Sequence, residues 1–223
     1  MDNISELLKR KLSEGREFRD MEIRALDGEE NDQMIVEGYA TTFNQFYELW
    51  KEPGYTFLEQ VDAKAFDGCD MSDVIMQYDH EGRVFARMSN GTLTATPDEV
   101  GLRTRADLSG TEIGRQLYQE IKGGYTNKMS FAFKVGEDRR EIEENRENGE
   151  ITVKRTITRI SRLYDVSAVS LPANPATSIS ARNFSEGVIA EIKAERQRAD
   201  EREKRIRRLE LRIKLSKGES NGN

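Results

Sequence analysis

Short segments in which apolar and polar residues alternate recur along residues 21–170, and they constrain the fold of this 223-residue chain more than any other feature. In the first of them, Met21, Ile23 and Ala25 alternate with charged residues. Alternation with a period of two residues is typical of a β-strand, in which successive side chains lie on opposite faces. The predicted strands are residues 21–25, 34–40, 56–60, 73–78, 92–96, 102–108, 129–135, 151–160 and 163–170. Because their connections are short, they predict a mostly antiparallel β-barrel or sandwich.

Two segments, one within this region and one before it, have the periodicity of a helix. Thr111 is a suitable N-cap for a helix that ends at Gly123 and Gly124. The apolar residues of that helix recur on one face; they are Ile113, Leu117, Tyr118 and Ile121. Residues 4–19 carry a shorter apolar face and predict a docking helix or a mobile arm. The fold is therefore predicted to be α+β, with helices around the strands.

Two other segments are predicted to lie outside regular structure. Residues 44–55 include Trp50, Pro53 and Gly54, and we interpret them as an exposed loop. Residues 137–150 hold seven acidic residues, three arginines and almost no apolar side chain. That composition predicts a solvated hairpin tip.

The composition changes after residue 185. Residues 191–217 contain eleven Lys or Arg against six acidic residues, whereas the whole chain has a net charge of −6. Ile192, Ala199, Ile206 and Ile213 recur every seven residues, which predicts a long charged helix with a thin apolar seam. Interleaved acidic residues and the lack of aromatic ones argue against a dedicated nucleic-acid surface. The pattern favours a solvated helix that docks weakly or self-associates into a homo-oligomer.

The chain has one cysteine, Cys69, and one histidine, His80. A single cysteine excludes an intramolecular disulfide framework. Zinc hydrolases need three protein ligands drawn largely from these two residue types, so we predict neither a metal nor another cofactor. No apolar run approaches the roughly 20 residues of a membrane span, and the N-terminus does not resemble a signal peptide. These features predict a soluble intracellular protein with no membrane partner.

His80, Ser130 and Asp165 follow one another in the chain, each in a strand or at a strand end. An imidazole that titrates near neutral pH, a hydroxyl and a carboxylate are the components of a nucleophilic hydrolase. The alternative is that His80 is structural or merely solvated. The strand period places Ser130 on the face opposite Met129 and Phe131, which suits a group that must reach a cleft.

Neighbouring polar residues are less suited to the same roles. Asp79 adjoins His80, and adjacent side chains of an extended segment point in opposite directions, so Asp79 is predicted to be a turn or capping residue. Ser167 and Ser170 are interpreted as surface or core-edge hydroxyls. Cys69 is the alternative nucleophile.

Four segments in order resemble the prohead maturation proteases of tailed phages. They read Val-Glu-Gly-Tyr-Ala (36–40), Tyr-Asp-His (78–80), Gly-Tyr-Thr-Asn-Lys-Met-Ser-Phe-Ala-Phe (124–133) and Leu-Tyr-Asp-Val-Ser-Ala-Val-Ser-Leu-Pro-Ala-Asn-Pro-Ala (163–176). The resemblance covers residues 20–182. It implies a relation to the herpesvirus assembly proteases, and hence a β-barrel surrounded by helices with a serine nucleophile. By resemblance Ser130 is the nucleophile, His80 the general base and Asp165, by position, the third member, where herpesvirus relatives use a second histidine.

The same resemblance implies a serine endopeptidase that cleaves scaffold or capsid protein segments, and itself, during prohead maturation. Its partners would be the major capsid protein or scaffold, inside the assembling prohead in the host cytoplasm. The alternative is a catalytically idle assembly factor that binds shell proteins. We predict an N-terminal helical arm (1–19), a protease barrel domain (20–184) and a charged helical tail (185–223). Gly123, Gly124 and the loop 172–175 are the candidate sources of oxyanion-binding amides.

Overall fold

A computed structural model of the chain describes residues 5–26, 33–170 and 175–219. The described residues form ten strands and three α-helices. The strands are β1 (Glu17–Ala25), β2 (Ile35–Thr42), β3 (Tyr47–Glu52), β4 (Tyr55–Val61), β5 (Ile75–Tyr78), β6 (Glu81–Arg87), β7 (Leu93–Pro97), β8 (Gly101–Asp107), β9 (Lys128–Glu144) and β10 (Ile151–Val169). The helices are α1 (Glu6–Ser13), α2 (Glu112–Lys122) and α3 (Pro175–Glu219). The α+β class and the C-terminal helix are confirmed.

All ten strands belong to one sheet, in the order β3-β4-β10-β9-β1-β2-β8-β7, with β5 pairing to β10 and β6 to β5. Pairing is antiparallel except where β10 runs parallel to β4 and to β5. Among the described residues β3 and β7 end this path without pairing to each other, so the sheet is not closed and the predicted barrel is wrong. Alternation along a segment identifies a strand, but closure depends on the tilt and stagger of all the strands together.

The sheet is nevertheless strongly curled. Arg19 of β1 and Glu59 of β4 are separated by two strands in the sheet order, yet Arg19 Nε lies 2.6 Å from Glu59 Oε1. Arg155 of β10 contacts Glu59 at 2.8 Å and Glu17 at 2.7 Å. Burial alone would raise the pKa of the Glu17 carboxyl, but the two guanidinium groups lower it to about 2. This buried ion network fastens β1 to β4 and β10.

The two segments predicted to lie outside regular structure contain strands. β3 occupies residues 47–52, because it pairs with β4 around a two-residue turn of Pro53 and Gly54, where Gly54 has a φ of 82°. β9 continues to Glu144 and pairs with β10 along its length, which leaves only residues 145–150 as the tip. Cross-strand pairing thus extends strands into charged sequence that has no apolar face of its own.

One face of β9 carries the main core. Met129, Phe131 and Phe133 are buried in it, and the rings of Phe131 and Phe133 stack 4.5 Å apart. Helix α2 buries its apolar face, and the Thr111 hydroxyl accepts a hydrogen bond from the amide of Gly114 at 3.0 Å, as the capping prediction required. Ser130, which alternates with these residues, lies on the opposite face of β9.

The chain divides into two compact units, residues 1–182 and residues 183–223. The first unit contains the whole sheet with α1 and α2. The second consists of the greater part of α3. The described part of the chain contains no helix long and apolar enough to cross a membrane.

Candidate active site

His80 is presented by a tight hairpin turn between β5 and β6. Tyr78 pairs with Glu81, so Asp79 and His80 form a two-residue turn in which φ is 48° and 62°. Turns of this length require left-handed backbone at their centre, which is strained for residues other than glycine. The Asp79 carboxylate accepts hydrogen bonds from the backbone amide of Ser170 at 3.0 Å and from its hydroxyl, so it has the turn role that the sequence predicted.

The His80 side chain is bound to β10. Its Nδ1 lies 2.5 Å from Asp165 Oδ1, and both side chains are buried. Burial would raise the pKa of the Asp165 carboxyl, but the attraction and hydrogen bond of His80, with smaller contributions from Lys11 and Ser167, lower it. An ionised carboxylate only accepts hydrogen bonds, so Nδ1 carries a hydrogen, and in the neutral ring Nε2 is then the nitrogen that can accept a proton.

Ser167 supports the same carboxylate. Its hydroxyl donates a hydrogen bond to Asp165 Oδ1 at 2.9 Å, and its side chain is fully buried. The interpretation of Ser167 as a surface or core-edge hydroxyl is therefore wrong. The signal in the sequence is the spacing of two residues from Asp165, which places both side chains on one face of the strand.

Ser130 lies on that same face. In the pairing of β9 with β10, Ser130 is directly opposite Ser167, and directly opposed residues project to the same side of a sheet. Met129 and Phe131 project to the other side, into the main core, as predicted. The structure thus joins His80 to Asp165 by a hydrogen bond and places Ser130 on the sheet face that carries Asp165.

All three side chains are buried. His80 and Ser130 are 0% exposed and Asp165 is 2% exposed. His80 Nε2 and Ser130 Oγ are buried and have no hydrogen-bond partner among the described residues. Leaving a buried polar atom unpaired costs about 1–3 kcal/mol, so these two atoms are candidates for groups that interact with a substrate.

Aromatic and cationic side chains complete the enclosure. The Phe18 ring meets the His80 ring edge-on, with centroids 4.7 Å apart, and Phe18 is opposite Ala132 in the sheet. Lys11 of α1 is buried and donates a hydrogen bond from Nζ to the carbonyl oxygen of His80. Burial lowers the pKa of Lys11, and the attraction of Asp165 partly offsets this effect. Sequence reasoning missed Lys11, because a lysine on a short amphipathic helix ordinarily points to solvent.

The other candidates from the sequence have different roles. The amides of Gly123 and Gly124 donate to Gln119 and Ile121 at the end of α2, so neither is free to bind an oxyanion. Residues 172–174 of the second candidate loop lie outside the described residues. Burial raises the pKa of the Cys69 thiol to about 11, which keeps it from being a thiolate at neutral pH. The described residues contain no cluster of three or more His, Cys, Asp or Glu side chains that could hold a metal ion.

One protein-family model matches the part of the chain that contains these residues. The model of the caudovirus prohead serine protease family matches residues 19–190. That range includes His80, Ser130, Asp165 and Ser167. Searches of curated proteins and of solved structures found no match.

Proposed function

Because the chain belongs to the caudovirus prohead serine protease family, we propose that it is the endopeptidase that cuts capsid or scaffold segments, and itself, in the maturing prohead. The family supports a serine peptidase acting in the assembling prohead within the host cell. The single observation that carries the assignment of residues is the buried hydrogen bond between His80 and Asp165, on the sheet face that holds the Ser130 hydroxyl, which has no partner in the described part of the chain.

In the proposed mechanism Ser130 Oγ attacks the carbonyl carbon of the scissile peptide. A serine hydroxyl is a weak nucleophile at neutral pH, so His80 Nε2 removes its proton as the new C–O bond forms. The resulting imidazolium returns this proton to the leaving amine, and the C–N bond breaks to leave an acyl-enzyme on Ser130. Water, deprotonated by His80, then hydrolyses the ester and restores the hydroxyl.

Asp165 stabilises the imidazolium and fixes the tautomer in which Nε2 accepts the proton. Ser167 is a positioning residue in this scheme, because its hydrogen bond holds Asp165 Oδ1 toward His80 and offsets the cost of an ionised carboxylate at a buried site. We propose, by resemblance, a relation to the herpesvirus assembly proteases in which a carboxylate takes the place of their second histidine.

The proposed roles of the terminal segments follow from charge. The described side chains of residues 193–213 are exposed, and residues 191–217 carry a net charge of +5 from eleven basic and six acidic residues. We propose that residues 20–184 form the protease domain and that residues 185–223 are a docking tail for an acidic partner in the shell or for a second copy of the chain. The arm 1–19 is considered below.

The test is self-cleavage of the purified chain and cleavage of denatured casein, followed by intact mass spectrometry. Ser130→Ala and His80→Ala should both abolish cleavage and keep the wild-type circular dichroism spectrum. Ser161→Ala is the matched control, because its hydroxyl bonds the carbonyl of Lys134 away from the site. Cleavage by Ser130→Ala at the wild-type rate would disprove the nucleophile. A wild-type chain that cleaves nothing yet binds shell proteins would support the idle assembly factor instead.

A further inference from the structure

The candidate active site is sealed in this conformation. Ser130 and His80 are 0% exposed, so a peptide chain cannot bring its carbonyl group to Ser130 Oγ without a rearrangement. The β-strands around the site are held by ladders of backbone hydrogen bonds, with a register shift between Leu163 and Asp165 of β10. The element that moves should therefore be one that covers the site without belonging to the sheet.

Helix α1 covers the site in this way. Lys11 binds the carbonyl oxygen of His80, and the Ser5 hydroxyl donates to a carboxylate oxygen of Glu81, the next residue of the same turn. Leu12 packs on Phe18 and Ala132, on the strands that flank Ser130. These three contacts place the helix across the histidine turn and the serine strand together.

The attachment of α1 to the rest of the fold is light. The helix has eight residues, and only three residues, including Gly15 with a φ of 78°, connect it to β1. Lys11 is the one residue of the helix that is buried among those whose side chains are described. The anchor is thus an ammonium group that has lost its hydration, and a short isolated helix is marginally stable in water.

We propose that α1 is an autoinhibitory cover, anchored by Lys11, whose release opens the active site to a peptide substrate. The proposal rests on the function proposed above, since a cover has meaning only for a site that admits substrate. It is in keeping with the full burial of His80 and Ser130, and it supplies a physical restraint on proteolysis before the shell assembles. Displacement of α1 alone leaves β1 and the triad in place.

Because His80 is the one histidine of the chain, its accessibility is measurable independently of catalysis. Carbethoxylation by diethyl pyrocarbonate, quantified on the peptide that contains residue 80, reports whether the imidazole is reachable. Lys11→Ala should raise this rate and the rate of peptide hydrolysis about tenfold, the effect of losing one charge-assisted hydrogen bond. Lys9→Ala is the matched control on the same helix, since Lys9 is exposed and pairs only locally with Glu6; it should change neither rate.

A reversible lock separates release of the cover from unfolding. In a Cys69→Ser background, the variants Ser5→Cys and Glu81→Cys are joined by a short bismethanethiosulfonate cross-linker. Hydrolysis and carbethoxylation should both stop when the link is closed and both return when it is reduced. Full activity of the linked protein, or no change of either rate in Lys11→Ala, would overturn the cover. Carbethoxylation that responds while no variant hydrolyses peptide would uphold the cover and overturn the proposed peptidase.

Discussion

Replacing Asp165 by Asn tests the proposed mechanism most directly, because it removes one charge and almost no volume. The carboxylate of Asp165 is the acceptor for both His80 Nδ1, at 2.5 Å, and Ser167 Oγ, at 2.9 Å. An asparagine placed there can present its NH₂ group to the ring instead. In that case Nδ1 becomes the acceptor and Nε2 carries the hydrogen, so the imidazole cannot take the proton of Ser130.

The magnitude follows from the charge that is lost. In the transition state His80 becomes a cation beside an anion, and two unit charges about 4 Å apart at an effective dielectric constant of about 20 attract by about 4 kcal/mol. Loss of that attraction lowers kcat by about a thousandfold, since about 1.4 kcal/mol corresponds to a factor of ten. The affinity for substrate should be little changed, because both partners are buried and Asp165 acts through His80.

The assay is steady-state hydrolysis of a peptide, with kcat and KM determined separately for the wild type and for Asp165→Asn. The ¹⁵N spectrum of the single imidazole shows which ring nitrogen carries the hydrogen, and it should change to the other tautomer in the variant. Asp79→Asn is the matched control, because Asp79 binds Ser170 and does not contact the ring nitrogens. A decrease below tenfold for Asp165→Asn, or a large decrease for Asp79→Asn, would refute Asp165 as the residue that orients His80.

Three further outcomes are expected. Ser167→Val should lower kcat about tenfold, whereas Ser167→Thr, which has the same shape as the Val variant but keeps the hydroxyl, should retain activity. Ser167→Val should have no further effect in an Asp165→Asn background; additive effects in that double-mutant cycle would show that Ser167 does not act through Asp165. The pKa of Glu17 is lowered from 4.5 to about 2, so its carboxylate stabilises the fold above pH 4.5 and this stability is lost as the pH falls toward 2. Glu17→Gln should therefore lower the free energy of unfolding at pH 7, measured by urea titration, by about 3 kcal/mol. The variant's free energy of unfolding should also depend less on pH between 4.5 and 2; an unchanged dependence on pH would contradict the buried ion network. Because burial raises the pKa of Cys69 to about 11, Cys69→Ser and treatment with iodoacetamide at neutral pH should both leave hydrolysis intact, and inactivation by either would restore the thiol as a candidate nucleophile.

The local pattern of the sequence was sufficient for most of the elements. Alternation predicted the hairpin of β7 and β8 and the strand that carries Ser130, and the Thr111 signal predicted the start of α2. It also predicted that Ser130 faces away from the main core, since residues at odd and even positions along a strand lie on opposite faces. These features depend on neighbours a few residues away.

Sequence patterns failed where distant strands decide the outcome. β3 lies in a segment whose Trp, Pro and Gly suggested a loop, because its pairing with β4 provides the hydrogen bonds that composition cannot indicate. Whether the curled sheet closes depends on how β3 and β7 are placed by all the strands between them, and in the described residues they do not pair.

The same distinction between local pattern and tertiary contact applies to the candidate site. The sequence by itself was sufficient to propose its chemistry, because a chain with one histidine has one candidate imidazole base, and the alternating pattern places a serine and an aspartate in predicted strands. Only the tertiary structure decided that Ser167 holds Asp165 and that Lys11 lies buried over His80. The physical reason is that a hydroxyl or an ammonium group takes its role from what surrounds it, and residues 11 and 80 become neighbours only once the chain has folded.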